Sequence, residues 1–452
     1  MKGYEKYVEV ESRWAKYIPE SWTFSNIAEV FIERKENNNP IKTMDILSLT
    51  NTRGVIPYKE KGNIGNKAKE DLTGYRLAYP GDIVFNSMNA VIGSVGLSKY
   101  FGAVSPVYYM LYLRDTVKNS VRYFDYVFQD KVFQNGLNGL GNGILEIRMR
   151  IPMSKLKYVG VPVPPREEQD QIVRYLDWQV SKINRLIAAK RKQIALLEAT
   201  TANYLETIIH KGTRNEHLAE TGNPWINTAP ISWKKVRHKN VLTEKKEVVG
   251  ENHIQYTLLS LTTKGIIIRD TSSGKGKYPS DFSTYQVVNP SDMVFCLFDV
   301  DETPRTVGLS THTGMITGAY TVYETHDVLP EYLLFYFTSI DNKKGFKPLY
   351  SGLRKVIGKD IFSRQSIYLP SPEEQQEIVN AIKAQQEKNY NVINLLEREI
   401  EALQELRTRL ISDVVTGQVD VRGIEVPEFE YVSEADVTGE QDEEETEGEV
   451  DG

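Results

Sequence analysis

From Val173 onward, apolar residues recur in alternating steps of three and four: Leu176, Val180, Ile183, Ile187, Ile194, Leu197 and Ile208. Lys190, Thr201 and Tyr204 fill the remaining positions of the series. Two apolar positions in seven make a heptad seam along one long helix. The pattern returns 206 residues later as Val379, Ile382, Ile393, Leu396, Ile400, Leu403, Leu410 and Val414, with Gln386, Asn389 and Arg407 at polar seam positions. Each helix follows a proline stop, Pro162-Val163-Pro164-Pro165 or Pro370-Ser371-Pro372, and opens on acids suited to a helix N-terminus. About 44 residues at ~1.5 Å each make a rod of roughly 65 Å. Such a rod needs a partner for its stripe, and the second copy, with equal length and seam, is the expected one; a coiled coil between two chains is the alternative. Polar seam residues weaken the packing and fix register.

Outside the helices the pattern changes. Short apolar runs rich in Val, Ile, Tyr and Thr are bounded by turns, as where Tyr79-Pro80-Gly81-Asp82 precedes Ile83-Val84-Phe85. This predicts mixed α/β structure with a substantial sheet over roughly 15–165 and 226–371. These regions also repeat. Trp14 and Ile18-Pro19-Glu20-Ser21-Trp22 return as Trp225 and Ala229-Pro230-Ile231-Ser232-Trp233. Ile46-Leu47-Ser48-Leu49-Thr50 returns as Leu258-Leu259-Ser260-Leu261-Thr262, and Pro80-Gly81-Asp82-Ile83-Val84-Phe85 as Pro290-Ser291-Asp292-Met293-Val294-Phe295. Val95-Gly96-Leu97-Ser98 returns as Val307-Gly308-Leu309-Ser310, and Glu167-Glu168-Gln169 as Glu373-Glu374-Gln375. The offset drifts only from 212 to 206. A period near 210 is far beyond solenoid repeats, so the unit duplicated is a domain followed by a helix.

The expected fold class is therefore α/β: two mixed α/β domains separated by two long antiparallel coiled-coil helices, with an internal pseudo-twofold. The expected boundaries are a first domain at 1–165, a central helix at 166–212, a second domain at 213–371, a distal helix at 372–418 and an acidic tail at 419–452.

A chain of 452 residues with 40% hydrophobic and 26% charged residues is that of a multidomain globular protein. The start carries no apolar leader, no run approaches the roughly 18 apolar residues of a membrane span, and Cys296 is the single cysteine. No internal disulfide or multi-cysteine zinc site is available, and a cytoplasmic location is expected. The net charge of −6 is unevenly spread. From 425 to 452 there are thirteen acids and no Lys or Arg, and without them 48 acids face 55 basic residues. The body is mildly basic, which is compatible with phosphate contacts. The tail, low in apolar residues, is expected to be disordered.

Candidate enzyme chemistry is thin. Val163-Pro164-Pro165-Arg166 has the prolines of an amino-methyltransferase tetrapeptide without its Asn or aromatic residue, and Gly274-Lys275-Gly276-Lys277 lacks P-loop spacing. The six histidines form no metal-ligand spacing. Asp82 and Asp292 recur, but a Pro-x-Asp turn accounts for them. A nuclease built on scattered carboxylates is the residual enzymatic alternative.

The layout, a Trp/Pro/Trp signature, a mixed domain, a proline stop, Glu-Glu-Gln and a long helix, all twice, resembles the specificity subunits of type I restriction–modification enzymes. The resemblance spans about residues 14–417. Its strongest elements are Ile18-Pro19-Glu20-Ser21-Trp22, Pro80-Gly81-Asp82-Ile83-Val84, Pro164-Pro165-Arg166-Glu167-Glu168-Gln169 and Pro370-Ser371-Pro372-Glu373-Glu374-Gln375. Ile231 stands where the entry signature usually has an acid, and the acidic tail has no expected counterpart. The resemblance implies a non-catalytic, sequence-specific reader of double-stranded DNA in a phage-defence complex. Each domain would take half of a bipartite, asymmetric site, and the helices would dock two methyltransferase subunits. Those partners, with restriction subunits in the full complex, would carry S-adenosylmethionine-dependent methylation and ATP- and Mg-dependent translocation and cleavage; this chain would bind no cofactor. A specificity module of a related phage-defence methyltransferase, differing in partner and not in DNA reading, is one alternative, and a coiled-coil interaction scaffold with protein- or carbohydrate-binding domains is the alternative from another class.

DNA readers need Lys and Arg for phosphates, and Arg, Asn, Gln or Ser on loops for base edges. In the first domain the candidates are Arg53, Lys59, Lys61, Lys67 and Lys69 on a turn-rich segment, Asn86, Ser87 and Asn89 at a strand tip, and Arg148 and Arg150 near a Gly-rich stretch. In the second they are Lys264, Arg269, Lys275, Lys277, Arg305, Arg354 and Lys355. The loop Phe298-Asp299-Val300-Asp301-Glu302 is acidic where the first copy is amide-rich, which fits either a different half-site or an ordinary surface loop.

Overall fold

Both proline stops lead into long helices, α1 (Arg166–Lys211) and α2 (Pro372–Val415). The computed structural model describes residues 2–51, 53–61, 68–141, 150–223, 225–269, 282–350, 355–433 and 436. The chain divides into two compact units, 1–192 with 396–452, and 193–395. Each unit therefore contains one mixed domain, the first part of the helix that follows it and the last part of the other helix.

Within each unit the helix segments run antiparallel. In the first, the Arg407 guanidinium donates to the Asn184 side-chain oxygen at 3.0 Å, and Lys190 pairs with Glu399 further along. In the second, the Asn389 amide donates to the Thr201 hydroxyl at 2.7 Å, and Thr213 donates to Glu377. Polar seam residues thus meet polar partners, as register-setting residues should. Leu176, Val180, Ile183, Ile187, Val379, Ile382, Leu396, Ile400 and Leu410 are buried, whereas Val173, Ile194, Leu197, Ile393 and Leu403 are half-buried. Near the end of α1 the stripe departs from the expected phase: Tyr204 is exposed, and Leu205 and Ile209 join the expected Ile208 in packing against the second domain's core. The cause is geometric, because an ideal α-helix drifts about 20° per heptad from a strict 3.5-residue repeat.

The first domain is built from β1 (Phe31–Arg34), β2 (Leu47–Thr50), β3 (Gly54–Pro57), β4 (Ile83–Asn86), β5 (Val95–Leu97) and β6 (Tyr108–Leu113). The second repeats them as β7 (Leu242–Lys245), β8 (Leu259–Thr262), β9 (Gly265–Ile268), β10 (Met293–Phe295), β11 (Val307–Leu309) and β12 (Thr321–Thr325). The main sheets have the same antiparallel order, β1-β6-β4-β5 and β7-β12-β10-β11, and each domain adds a hairpin, β2–β3 or β8–β9. An aromatic core backs each sheet, with Phe31, Phe85, Phe124 and Phe128 in one and Phe295, Phe337 and Phe362 in the other. The recurring aspartates hold the turn before the central strand. Asp82 accepts from the Tyr79 backbone N–H and from Arg34 at 2.8 and 3.0 Å, and Asp292 from the Asn289 N–H and Lys245.

The repeated signatures meet at the head of each helix. The Trp22 indole donates to Glu168 at 3.0 Å and the Trp233 indole to Glu374 at 3.2 Å. The next residue, Gln169 or Gln375, accepts from the Ser120 or Leu329 backbone N–H and donates to the proline-stop carbonyl of Pro164 or Pro370. All four polar side chains are buried. The joint thus ties each domain's entry, its interior and its helix together with neutral or charge-assisted hydrogen bonds.

The segment 419–433, whose composition leads to an expectation of disorder, is instead packed in the first unit. Val421 is fully buried, and the Gln171 side chain donates to the carbonyls of Val421 and Ile424. Backbone hydrogen bonding to side chains, rather than apolar area alone, holds it there.

Two consequences are measurable. Glu168 also accepts from Tyr4, whereas the second oxygen of Glu374 has no hydrogen-bond partner. Trp233→Phe should therefore cost about 1–3 kcal/mol by stranding a buried carboxylate, and Trp22→Phe less, as read by denaturant unfolding. His238 sits in the second core between Trp225, Phe337 and Phe362, and burial pushes its pKa down to about 3. From the ordinary value of about 6.5 down to about 3, the unfolded chain takes up a proton that the folded chain refuses. Stability is thus fully present above that window and is lost as pH falls through it. His238→Ile, the residue type at the duplicated position Ile27, should abolish this loss in thermal unfolding measured across pH.

Candidate nucleic-acid interface

Two hairpins related by the duplication carry or adjoin several of the cationic candidates. In the first domain, Lys59 and Lys61 follow β3, and the Tyr58 hydroxyl accepts from the Ala68 N–H at 3.1 Å, which brings Lys69 to the same region. Lys59 and Lys69 are exposed, and the Lys61 ammonium lies 5.8 Å from the Tyr58 ring centroid. Arg150 is exposed. In the second domain, Lys264 is exposed in the turn between β8 and β9, and half-buried Arg269 follows β9. None of Lys59, Lys61, Lys69, Arg150 or Lys264 forms an ion pair among the described residues.

Other sequence candidates are occupied internally. The Arg53 guanidinium donates to the Glu60 carbonyl at 3.0 Å. Arg305 donates to Asp341 at 3.3 Å and to Asn342 at 3.0 Å. Lys355 is bound by Glu302 at 2.6 Å and Asp301 at 2.9 Å, and these hydrogen bonds raise its pKa and lower that of Asp301. Two of the three acids of the 298–302 loop, Asp301 and Glu302, thus share one lysine. Lys67, Arg148, Lys275, Lys277 and Arg354 lie outside the described residues.

The strand-tip amides correct the expectation most clearly. Asn86 and Ser87 are buried: the Asn86 side-chain oxygen accepts from the Met88 N–H, and the Ser87 hydroxyl donates to the Val107 carbonyl at 2.8 Å. The Ser87 carbonyl accepts from Ile151 as the Leu297 carbonyl accepts from Ile357 in the other copy, so this tip is a structural clasp. Asn89 alone of the three is half-buried.

Apolar surface was missed by reasoning from charges. Met44 is 68% exposed and Ile254 87%, each in the loop that precedes its domain's hairpin. The available signal was an apolar residue inside a polar, turn-rich stretch, Asn37-Asn38-Asn39-Pro40-Ile41-Lys42-Thr43-Met44. Among the described residues, no three His, Cys, Asp or Glu side chains are grouped to hold a metal ion, and no helix is long and apolar enough to cross a membrane.

A family model described as the type I restriction modification DNA specificity domain matches residues 19–196. The chain is similar to the type I restriction enzyme MjaX specificity subunit of Methanocaldococcus jannaschii, at 23% identity over 444 residues, covering 90% of this chain and 95% of that protein. Among solved structures, a chain from a study of complex assembly and conformational transition of the type I R-M system shares the fold. Its TM-score is 0.62 at 14% identity, covering 89% of this chain and 99% of that one. The HsdS subunit from Thermoanaerobacter tengcongensis gives a TM-score of 0.45 at 14% identity, covering 89% and 98%.

Proposed function

We propose that the chain is a member of the type I restriction–modification specificity subunits and that it reads a bipartite, asymmetric DNA site with one half assigned to each domain. The chain is the DNA-recognition subunit and not the catalytic one. The observation that carries the two-reader proposal is the pair of duplicated hairpins on otherwise matching domains, with exposed Lys59 and Lys69 beside the first and exposed Lys264 on the second, none of them in an ion pair among the described residues. Two matched frames with different surface residues suit two unlike half-sites.

In this reading Lys59, Lys61, Lys69, Arg150, Lys264 and Arg269 contact phosphates, and Asn89 reaches a base edge. Met44 and Ile254 supply apolar contact of the kind that recognises thymine methyl groups. Arg53, Arg305 and Lys355 support loops. Two methyltransferase subunits dock on α1 and α2, and restriction subunits join the complete assembly. S-adenosylmethionine, ATP and Mg serve reactions on those partners.

Base-resolution mapping of methyladenine tests this reading, comparing cells that express the chain with its methyltransferase against cells lacking the chain. A split motif dependent on the chain is expected. An active, bound methyltransferase with no motif dependent on the chain contradicts it and favours an interaction scaffold. In purified complex, the combined Lys59→Ala, Lys61→Ala and Lys69→Ala changes should shrink the slope of log affinity against log salt by about 0.9 for each phosphate no longer neutralised. Arg305→Ala should leave that slope unchanged. Fluorescence anisotropy across a salt series reads both.

A further inference from the structure

The duplication makes α1 and α2 equivalent, yet one face of α1 is covered and its counterpart on α2 is open. Residues 423–432 run along α1 as a strap. The Val432 N–H donates to the Ser181 hydroxyl at 3.0 Å, and the Asn184 amide donates to the Val432 carbonyl at 2.9 Å. Arg185 binds the carbonyl and carboxylate of Glu430, and the Arg122 guanidinium lies 5.6 Å from the Tyr431 ring centroid. Ser181 and Asn184 are buried, Asn184 between the strap and the Arg407 guanidinium of the other helix. At the matching positions 206 residues later stand Glu387, which is exposed, and Tyr390, which is 65% exposed. A large aromatic thus lies in water on the helix whose duplicate is covered at the same place.

We propose that the strap makes the two partner-docking faces unequal: it closes the face of α1 around Ser181 and Asn184, leaving the face of α2 around Tyr390 as the first to bind a methyltransferase subunit. This rests on the reading that those subunits dock on the helices. The second subunit must displace the strap's hydrogen bonds or accommodate them, so its affinity carries that cost. The partner suited to the open face presents an apolar contact for the Tyr390 ring beside polar groups for Glu387.

Native mass spectrometry of the full chain titrated with its methyltransferase subunit, without DNA, tests the proposal. A one-to-one complex should accumulate first, with stepwise constants at least about tenfold apart, a difference of ~1.4 kcal/mol. Deleting 423–452, or making Glu430→Ala with Tyr431→Ala in the full chain, should tighten the second step until only the statistical ratio of two like sites remains. Tyr390→Glu should weaken the first step. Two equal sites in the full chain, or a gap that survives both strap variants, overturn the proposal while leaving helix docking intact. No binding by any form overturns the docking reading and this proposal with it.

Discussion

A buried carboxylate at the head of each long helix is the constraint on which the rest of the architecture depends. Glu168 and Glu374 lie inside the protein, where an unpaired charge is costly. Each is held by the indole of the tryptophan that opens its domain, 146 residues earlier for Glu168 and 141 for Glu374. Because the same residue begins the helix, satisfying the charge fixes where the domain sits on that helix. The adjacent glutamine adds two more hydrogen bonds to the same junction. A reading domain on a floating tether would gain no orientation from its helix, whereas this joint gives it one.

The copies preserve this frame and vary what it carries. The cation that binds the turn aspartate is Arg34 in one copy and Lys245 in the other. The apolar Ile27 is matched by His238, neutral in an aromatic cage. The tip that is amide-rich in the first domain is occupied by Cys296 and Leu297 in the second, both buried. Inside the frame the copies change side-chain volume yet keep the same backbone hydrogen bonds, as at Ser87 and Leu297. The strap on α1 extends this asymmetry from the domains to the helices.

Duplication and architecture were legible in the sequence because they are written in residues whose spacing follows geometry: the heptad seam, the proline stops, and the Trp and Glu-Glu-Gln signatures. The roles of individual loop residues were not legible. Whether Arg305 faces solvent depends on Asp341, and whether Lys355 is free depends on Asp301 and Glu302, pairings that no local pattern announces. Asn86 looked available because amides favour loops, but its own turn consumes it. The acidic segment read as disordered by composition, and composition does not register one buried valine and a row of side chains on α1 that bind its backbone. The phase slip from Tyr204 to Leu205 likewise arises from accumulated helix twist and from the second domain's core, which lies beyond the reach of a seven-residue pattern.

The central claim is that each jointed domain reads its own half-site independently of the other. The most direct measurement is an exchange of residues 213–371 for the second domain of a specificity subunit with a known site, followed by methyladenine mapping of the assembled complex. Retention of the first half-motif, with the second half replaced by that of the donor, is the predicted result. A motif altered in both halves, from a complex that still assembles and methylates, would contradict the account.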